Sequence, residues 1–311
     1  MDMRDGSEYL GPDDGADLGM VPIDWAAFWC EELPPEDYVL EPLVAAGRQT
    51  AIYSVAKSGK SLLALDMAAA AACGRSILGQ PAQEPVEVMY VDLEMTMADL
   101  RERLSDLGYG PDDDLSLLHY YQLPTMPPLD SELGGELLVS IALVHGAKVV
   151  VIDTMARAVS GAENDSDTYR SFYAHTGRRL KAAGIALLRL DHMGKDPTQG
   201  QRGSSAKVDD VDVVFRMSVD GNRITLHRTH SRIPWVPQEV VIERHEDPVL
   251  RHVWDADSVP AGTHEVALLL DDLEVPVDSQ TMTAVRTLKA AGKGRRKALV
   301  IAAQKYRRTR P

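Results

Sequence analysis

One run limits the possible folds more than any other: "RQTAIYSVAKSGKSLLALDMAAAAACG", residues 48–74. An apolar β-rich stretch enters a small-residue loop. The loop opens directly into a helix-forming run that stops at a glycine. Ser54–Ser61 ends in Gly59-Lys60-Ser61, the close of the phosphate-binding pattern G-x-x-x-x-G-K-[ST]. The chemistry requires that order. A strand delivers the chain to a loop whose N–H groups face phosphates, and the helix N-terminus favours anions. Gly59 permits close backbone approach, Lys60 reaches the β/γ-phosphates, and the Ser61 hydroxyl suits Mg²⁺. Ser54, Ala56, Lys57, Ser58 and Leu62 complete the expected nucleotide contacts. The first glycine of the pattern is missing: Ser54 stands in its place. A serine keeps the turn if its φ stays negative and strains it otherwise. The bland reading is a chance Gly-Lys-Ser at a helix start.

From about residue 40 to 245, strand-like and helix-like segments alternate. "VEVMYVDLE", "SLLHYYQL", "KVVVIDT" and "IALLRLDH" read as strands. "TMADLRERLSDLG", with Thr96 as N-cap, "SELGGELLVSIALVHGA" and "DTYRSFYAHTGRRLKAAG" read as helices. "VDVVFRMSVDGNRITLHRTHS" reads as a hairpin turning at Asp220-Gly221-Asn222. This alternation predicts a mostly parallel central sheet with helices on both faces. After "DADSVPAGT" the pattern changes to two or three short helices. The expected organisation is an acidic arm over 1–37, an α/β domain over 38–250 and a basic helical region over 260–311.

Two of the strands end in carboxylates: Asp92 and Glu94 after one, Asp153 after the other. Ligands of open α/β sheets bind at the carboxyl ends of strands. Asp153, after four apolar residues, suits the water shell of Mg²⁺. Glu94 suits a general base that polarises the attacking water. The competing readings are a helix cap for Asp153 and a plain surface residue for Glu94.

The loop, "YVDLEM", "VVVIDT", "LRLDHMGKD" and "RGSSAKVDDVDVVFRM", in that order, resemble the RecA/DnaB-type ATPases, and among them the RepA-like hexameric helicase ATPases of plasmids and phages. The resemblance spans roughly residues 38–245. It implies a RecA-like P-loop NTPase fold, with ATP and Mg²⁺ as cofactors. It makes Glu94 the catalytic glutamate, Asp153 the metal-site acid, His192 a γ-phosphate sensor and Arg202–Ala206 a loop facing the ring channel or a neighbour. It also implies a homo-oligomer, a hexameric ring, acting on single-stranded DNA. A basic residue on "RITLHRTHSRIP" would cross to the next subunit's phosphate: Arg232 first, Arg228 second. With His230, these alternate along the strand and so are expected to share one face. The plainer readings are a hydrogen-bonded structural histidine and a charge-protected edge strand.

The formal charge of −14 hides an asymmetry that bears on partners. Residues 1–41 carry twelve acids and one arginine, whereas residues 279–311 carry ten Lys/Arg and no acid. The tail is the outline of a helix-turn-helix for a polyanion, or simply a soluble helical end. In the first case, Ala298, Ile301, Ala302 and Tyr306 would pack inward, while Arg295, Arg296, Lys297 and Arg307 face a phosphate backbone. Two cysteines, Cys30 and Cys73, make no disulfide framework, no apolar run reaches membrane length, and the start lacks a secretory pattern. A cytoplasmic protein is expected. Three functions remain open: a DNA-dependent ring ATPase (helicase or loader), a nucleotide-switched binding or regulatory protein with little turnover, and a small-molecule kinase, which would need a substrate lid.

Overall fold

The computed structural model describes residues 22–30, 37–162, 165–192, 210–255 and 262–309. The chain divides into two units, 1–36 and 37–311. In the first, α1 (Trp25–Cys30) holds an edge-to-face aromatic cluster in which Phe28 packs against Trp25 and Trp29.

The second unit begins with a short hairpin, β1 (Tyr38–Leu40) and β2 (Val44–Ala45). The main elements then follow in the expected order: β3 (Gln49–Ser54), α2 (Lys60–Cys73), β4 (Val88–Asp92), α3 (Met97–Asp106), β5 (Leu118–Gln122), α4 (Glu132–His145), β6 (Val149–Asp153) and α5 (Met155–Ala158). Next come α6 (Ser166–Phe172), α7 (Arg178–Ala182), β7 (Ala186–His192), β8 (Val213–Asp220), β9 (Arg223–Ser231), β10 (Glu239–His245) and β11 (Arg251–Trp254). Nine strands form one sheet in the order β11-β10-β9-β8-β3-β7-β6-β4-β5. The six from β8 to β5 are parallel, and β9, β10 and β11 add antiparallel pairings on one side. This is the RecA-like P-loop NTPase fold: the loop strand β3 and the acid-bearing β6 are separated by β7.

Successive residues of a strand face opposite ways, and both faces here are apolar. Ile52, Tyr90, Val151, Leu188 and Phe215 point to the layer that holds α2 and α3. Met89, Val91, Val150, Ile152 and Leu187 point to α4, α6 and α7. The alanine run Ala68–Ala72 is wholly buried, so small side chains let α2 lie close on the sheet. Thr96 caps α3 in a reciprocal capping box with Asp99.

Two boundaries differ from the sequence reading. The single helix expected over "DTYRSFYAHTGRRLKAAG" is α6 and α7 joined by a π-turn at Tyr173–Gly177. There Thr176 Oγ1 donates to Leu129 O at 2.6 Å, and Gln49 Nε2 donates to Gly177 O at 2.5 Å. Tertiary partners thus claim the turn, which periodicity cannot show. The sheet also runs past the expected end at 250, because β11 is held to α2 by His252 Nδ1 and Asp66 Oδ2, 2.8 Å apart.

The C-terminal helices α8 (Thr263–Asp272), α9 (Thr281–Ala290) and α10 (Lys297–Thr309) share a small core of Val266, Leu270, Ala284, Leu288, Val300 and Ala303. Lys305 joins them to the sheet domain, pairing with Glu41 while its ammonium lies 4.2 Å from the Trp254 ring centre.

Candidate nucleotide-binding site

Ser54, His192, Asp153, Asp92 and Gln122 end five adjacent parallel strands. Ser54 pairs in register with His192, and Asp92 with both Asp153 and Gln122. Ser54, His192, Asp153 and the turn that carries Glu94 therefore gather along one edge, the carboxyl end of the sheet.

The loop leaves β3 at Ser54 and enters α2 at Lys60. Gly59 caps the helix with φ +87°, a left-handed conformation that favours glycine. Lys57 also takes a positive φ, +61°. Ser54 ends the strand in extended geometry and is fully buried. Its hydroxyl does what no glycine could, donating to Val55 O at 3.1 Å and meeting the Ser58 hydroxyl across the loop. The Lys60 ammonium lies 3.4 Å from Val55 O, folded back over the loop. Burial pushes Lys60 below the usual lysine range, against the opposing pull of Asp153, Glu94 and Asp191. Val55, Ala56 and Lys57 are exposed, and Ser58, Ser61 and Leu62 are half-buried.

Asp153 is buried at the tip of β6. Its Oδ1 accepts from Ser61 Oγ at 3.1 Å and its Oδ2 from Tyr90 Oη at 2.9 Å. Burial raises its carboxyl to about 6; the two hydroxyl donors oppose the rise, and the charges of Asp92 and Glu94 add to it. The cap of α5 is Thr154, without a side-chain cap bond, so Asp153 does not serve as a helix cap. A hydroxyl and a carboxylate oxygen side by side at a helix N-terminus form a hard, oxygen-only donor set that fits Mg²⁺. Asp92 has a different task. Its carboxylate accepts from the Glu94 and Met95 backbone N–H groups at 2.9 and 3.1 Å and from Tyr120 Oη at 2.5 Å, which fixes the turn that carries Glu94.

Glu94 Oε1 accepts from Arg157 Nε at 3.0 Å and Thr154 Oγ1 at 3.2 Å, and lies 3.9 Å from His192 Nε2. Burial pushes its carboxyl up, but the donors Arg157 and Thr154 and the charges of Arg157 and His192 outweigh that, so it sits below the usual glutamate range. The structure thus brings together Lys60, Ser61, Glu94, Asp153 and His192. Sequence reasoning missed Tyr90, Tyr120, Thr154 and Arg157. A tyrosine inside a strand reads as core, and Tyr90 and Tyr120 do stack there with ring centres 4.9 Å apart. Arg157 lies only four residues past Asp153, a signal that was available.

The arginines are placed differently from expectation. A bulge in β9 pairs Val214 with His230 and Phe215 with Arg228, leaving Thr229 extra, so Arg228, His230 and Arg232 do not alternate on one face. The Arg228 guanidinium is spent on the Ile233, Val236 and Gln238 oxygens. Arg232 is exposed beyond the end of β9, where its N–H donates to Asp212 O, and Asp212 N in turn donates to Gln49 O. That is the amino end of the parallel strands, about 16 Å from the loop at one strand rise per residue. The exposed arginines at the loop's end of this hairpin are Arg216, paired in register with Tyr53, and Arg223 at the turn. Arg202–Ala206, Lys195 and Asp196 lie outside the described residues.

The AAA domain family matches residues 17–198, more than half of the chain and the whole of this site. The chain belongs to that family. As an AAA domain it is a P-loop ATPase-type nucleotide-binding protein. The match ends before the hairpin and the C-terminal helices, so it carries no information on them. Among solved structures, the flagellar accessory protein FlaH from Methanocaldococcus jannaschii is similar at 12% identity and a TM-score of 0.45, over 67% of this chain and 89% of that one.

In the C-terminal helices of this AAA-domain chain, the fully buried positions of α10 are Val300, Ala303, Gln304 and Arg307; of the expected inward stripe, Ile301 and Tyr306 pack half-buried against the cores, and Ala298 and Ala302 are half-buried. Arg307 pairs with Asp271 at 2.7 Å and donates to Val275 O at 2.6 Å, so it does not face outward. Arg295 pairs with Glu265. Arg286, Lys289, Lys293 and Arg296 are exposed. Among the described residues no helix is long and apolar enough to cross a membrane.

Proposed function

We propose that this AAA domain binds MgATP in the 54–61 loop and hydrolyses it with Glu94 as general base, working as a DNA-dependent homo-oligomer. The observation that carries the reading is the convergence of Ser61, Asp153 and Glu94 beside the loop, on three different elements. Lys60 would pair with the β/γ-phosphates, and Ser61 and Asp153 would hold the ion. Bound there, Mg²⁺ supplies charge neutralisation at the β- and γ-phosphate oxygens. A water attacks the γ-phosphorus and passes its proton to the Glu94 carboxylate. The bond from that phosphorus to the bridging oxygen breaks, and ADP leaves with the electron pair. His192, which ends the strand next to the loop strand, would read the γ-phosphate. The ring, the helicase or loader role and single-stranded DNA rest on the RepA-like resemblance. Arg286, Lys289, Lys293 and Arg296, the exposed cations of α9 and its following turn besides the Glu265-paired Arg295, are the surface that supports a polyanion. In that assembly a neighbour's arginine completes the charge at the γ-phosphate. Arg232 remains a candidate only through another subunit's site, and Arg223, at the loop's end of the hairpin, is a second.

Phosphate release is the test, measured with and without oligothymidylate on the full chain. Glu94→Gln should keep nucleotide binding and lose about a hundredfold or more in rate, and Lys60→Ala should lose binding. Parent-rate turnover by Glu94→Gln would remove Glu94 from the chemistry.

One observation favours a second reading, a nucleotide-switched regulatory protein. The Ser54–Ser58 bridge and the return of Lys60 to Val55 O tie the loop to itself, which suits slow exchange and little turnover. Tight binding with a rate indifferent to DNA would select it.

A further inference from the structure

We infer that Arg157 is a positioning residue for Glu94: with Thr154 it grips one carboxylate oxygen and sets the direction in which the other is presented. The inference rests on the reading of Glu94 as the base and extends it to a residue with no assigned role. All three partners found on Glu94, namely Arg157 Nε, Thr154 Oγ1 and the more distant His192 Nε2, lie on Oε1. A carboxylate held on a single oxygen by two donors from one segment cannot rotate freely about its terminal torsion. Both donors follow Asp153 directly, Thr154 as the α5 cap and Arg157 within that one-turn helix. The acid at the metal site and the aim of the base are thereby fixed by one stretch of backbone.

The Arg157 side chain is 62% exposed, and the Glu94 side chain 33%. A pair this open contributes little to stability, between nothing and about 1 kcal/mol. A surface arginine kept merely for stability would be a poor investment of its rotamer entropy, whereas orientation of a base to within 10–20° has a large effect on rate. Arg157 also forms a wall of a cavity of about 130 Å³ with Leu93, Pro124, Met126 and the Pro127-Pro128 pair. Arg157 donates to Glu94 through Nε, the nitrogen nearest its stem, so a lysine in its place can restore the charge but not that donor geometry.

The experiment compares the parent chain, Arg157→Ala and Arg157→Lys, all full-length, by two readouts. The first is the pH profile of kcat at saturating MgATP, so that the titrations of Asp153 and of the nucleotide near 6, which act on binding, do not set the limb. Arg157→Ala should lower kcat about ten- to a hundredfold with little change in KM, and should move the acid limb to higher pH, because both the hydrogen bond and the charge of Arg157 favour the ionised carboxylate. Arg157→Lys should return most of the limb position but not kcat. The second readout is titration of the Glu94 side-chain carboxyl by NMR of selectively ¹³C-labelled protein, without nucleotide. It should move upward in Arg157→Ala and partly return in Arg157→Lys. Equal acid limbs and equal kcat in parent and Arg157→Ala would overturn the inference, as would an unmoved Glu94 titration whatever the activity. A parent chain whose hydrolysis is indifferent to Glu94→Gln would instead sink the ATPase reading of the site, a result separable from either of these.

Discussion

Lowering the pH from 7 to 5 should remove about nine-tenths of the magnesium-dependent part of nucleotide binding. The cause is the Asp153 carboxyl, raised to about 6 by burial at the tip of β6. A metal ligand must be deprotonated. At pH 7 about nine in ten Asp153 side chains are ionised and at pH 5 about one in ten, so the apparent affinity for the ion falls by about tenfold. The same shift has a stability counterpart of opposite sense in the ligand-free chain. The folded state holds this proton more tightly than the unfolded chain, whose value is near 3.8. Stability from this group is therefore fully present below about 3.8 and declines as pH rises through about 6, by up to about 3 kcal/mol. The ion reverses that loss, because it replaces the proton as the partner of the buried charge. The assay is a titration with a fluorescent ATP analogue in excess Mg²⁺ and in chelator, at both pH values, on parent and Asp153→Asn protein. The nucleotide's own phosphate also titrates near 6, and the asparagine variant carries that contribution alone. The magnesium increment of the parent should shrink by about tenfold more than that of the variant. Equal shrinkage in the two proteins would show that Asp153 is not the titrating ligand.

Two further outcomes follow from the packing. Ser54→Ala should weaken ATP binding by roughly two- to tenfold, since it deletes the hydroxyl that ties the loop to Val55 O and Ser58, a loss of about 0.5–1.5 kcal/mol; equilibrium titration with the same analogue checks it. Gly135→Ala should lower the unfolding free energy by about 1–3 kcal/mol, because a Cβ there would overlap the His175 carbonyl in the π-turn; urea melts of the nucleotide-free chain would show the shift in midpoint.

The alternation of segments was enough to foretell a parallel sheet with two helical layers, because fully buried strands such as "VVVID" and helices such as "SLLALDMAAAAAC" carry unlike patterns. The carboxylates were legible for the same reason: a charge directly after four apolar strand residues has few other uses. The missing first glycine was legible as a departure but not in its consequence. The phosphate-binding pattern puts a flexible glycine at 54, whereas the structure gives the Ser54 hydroxyl two contacts. The arginines on β9 were misread because one extra residue, Thr229, resets the period of two, and a bulge leaves no mark in a polar strand. Arg307 was misread because an arginine on an amphipathic helix normally lies outward. Its burial depends on Asp271 and Val275, more than thirty residues earlier.

The charge asymmetry, seen in three dimensions, changes what the basic tail can offer. Lys305, Arg307 and Arg308 are used inside the domain, against Glu41, Asp271 and the Val277 carbonyl, and Arg295 is matched by Glu265. These contacts hold α10 in place, so that part of the tail's charge serves folding. The exposed remainder, Arg286, Lys289, Lys293 and Arg296, belongs to one helix and the turn after it. A polyanion reading such a patch would contact about four phosphates. Its affinity would then fall with salt at a logarithmic slope of about −3 for a single strand, where all ten basic residues acting together would give about −7. The slope therefore separates a local patch on a folded bundle from a fully extended basic arm, and the contacts of α10 argue for the patch.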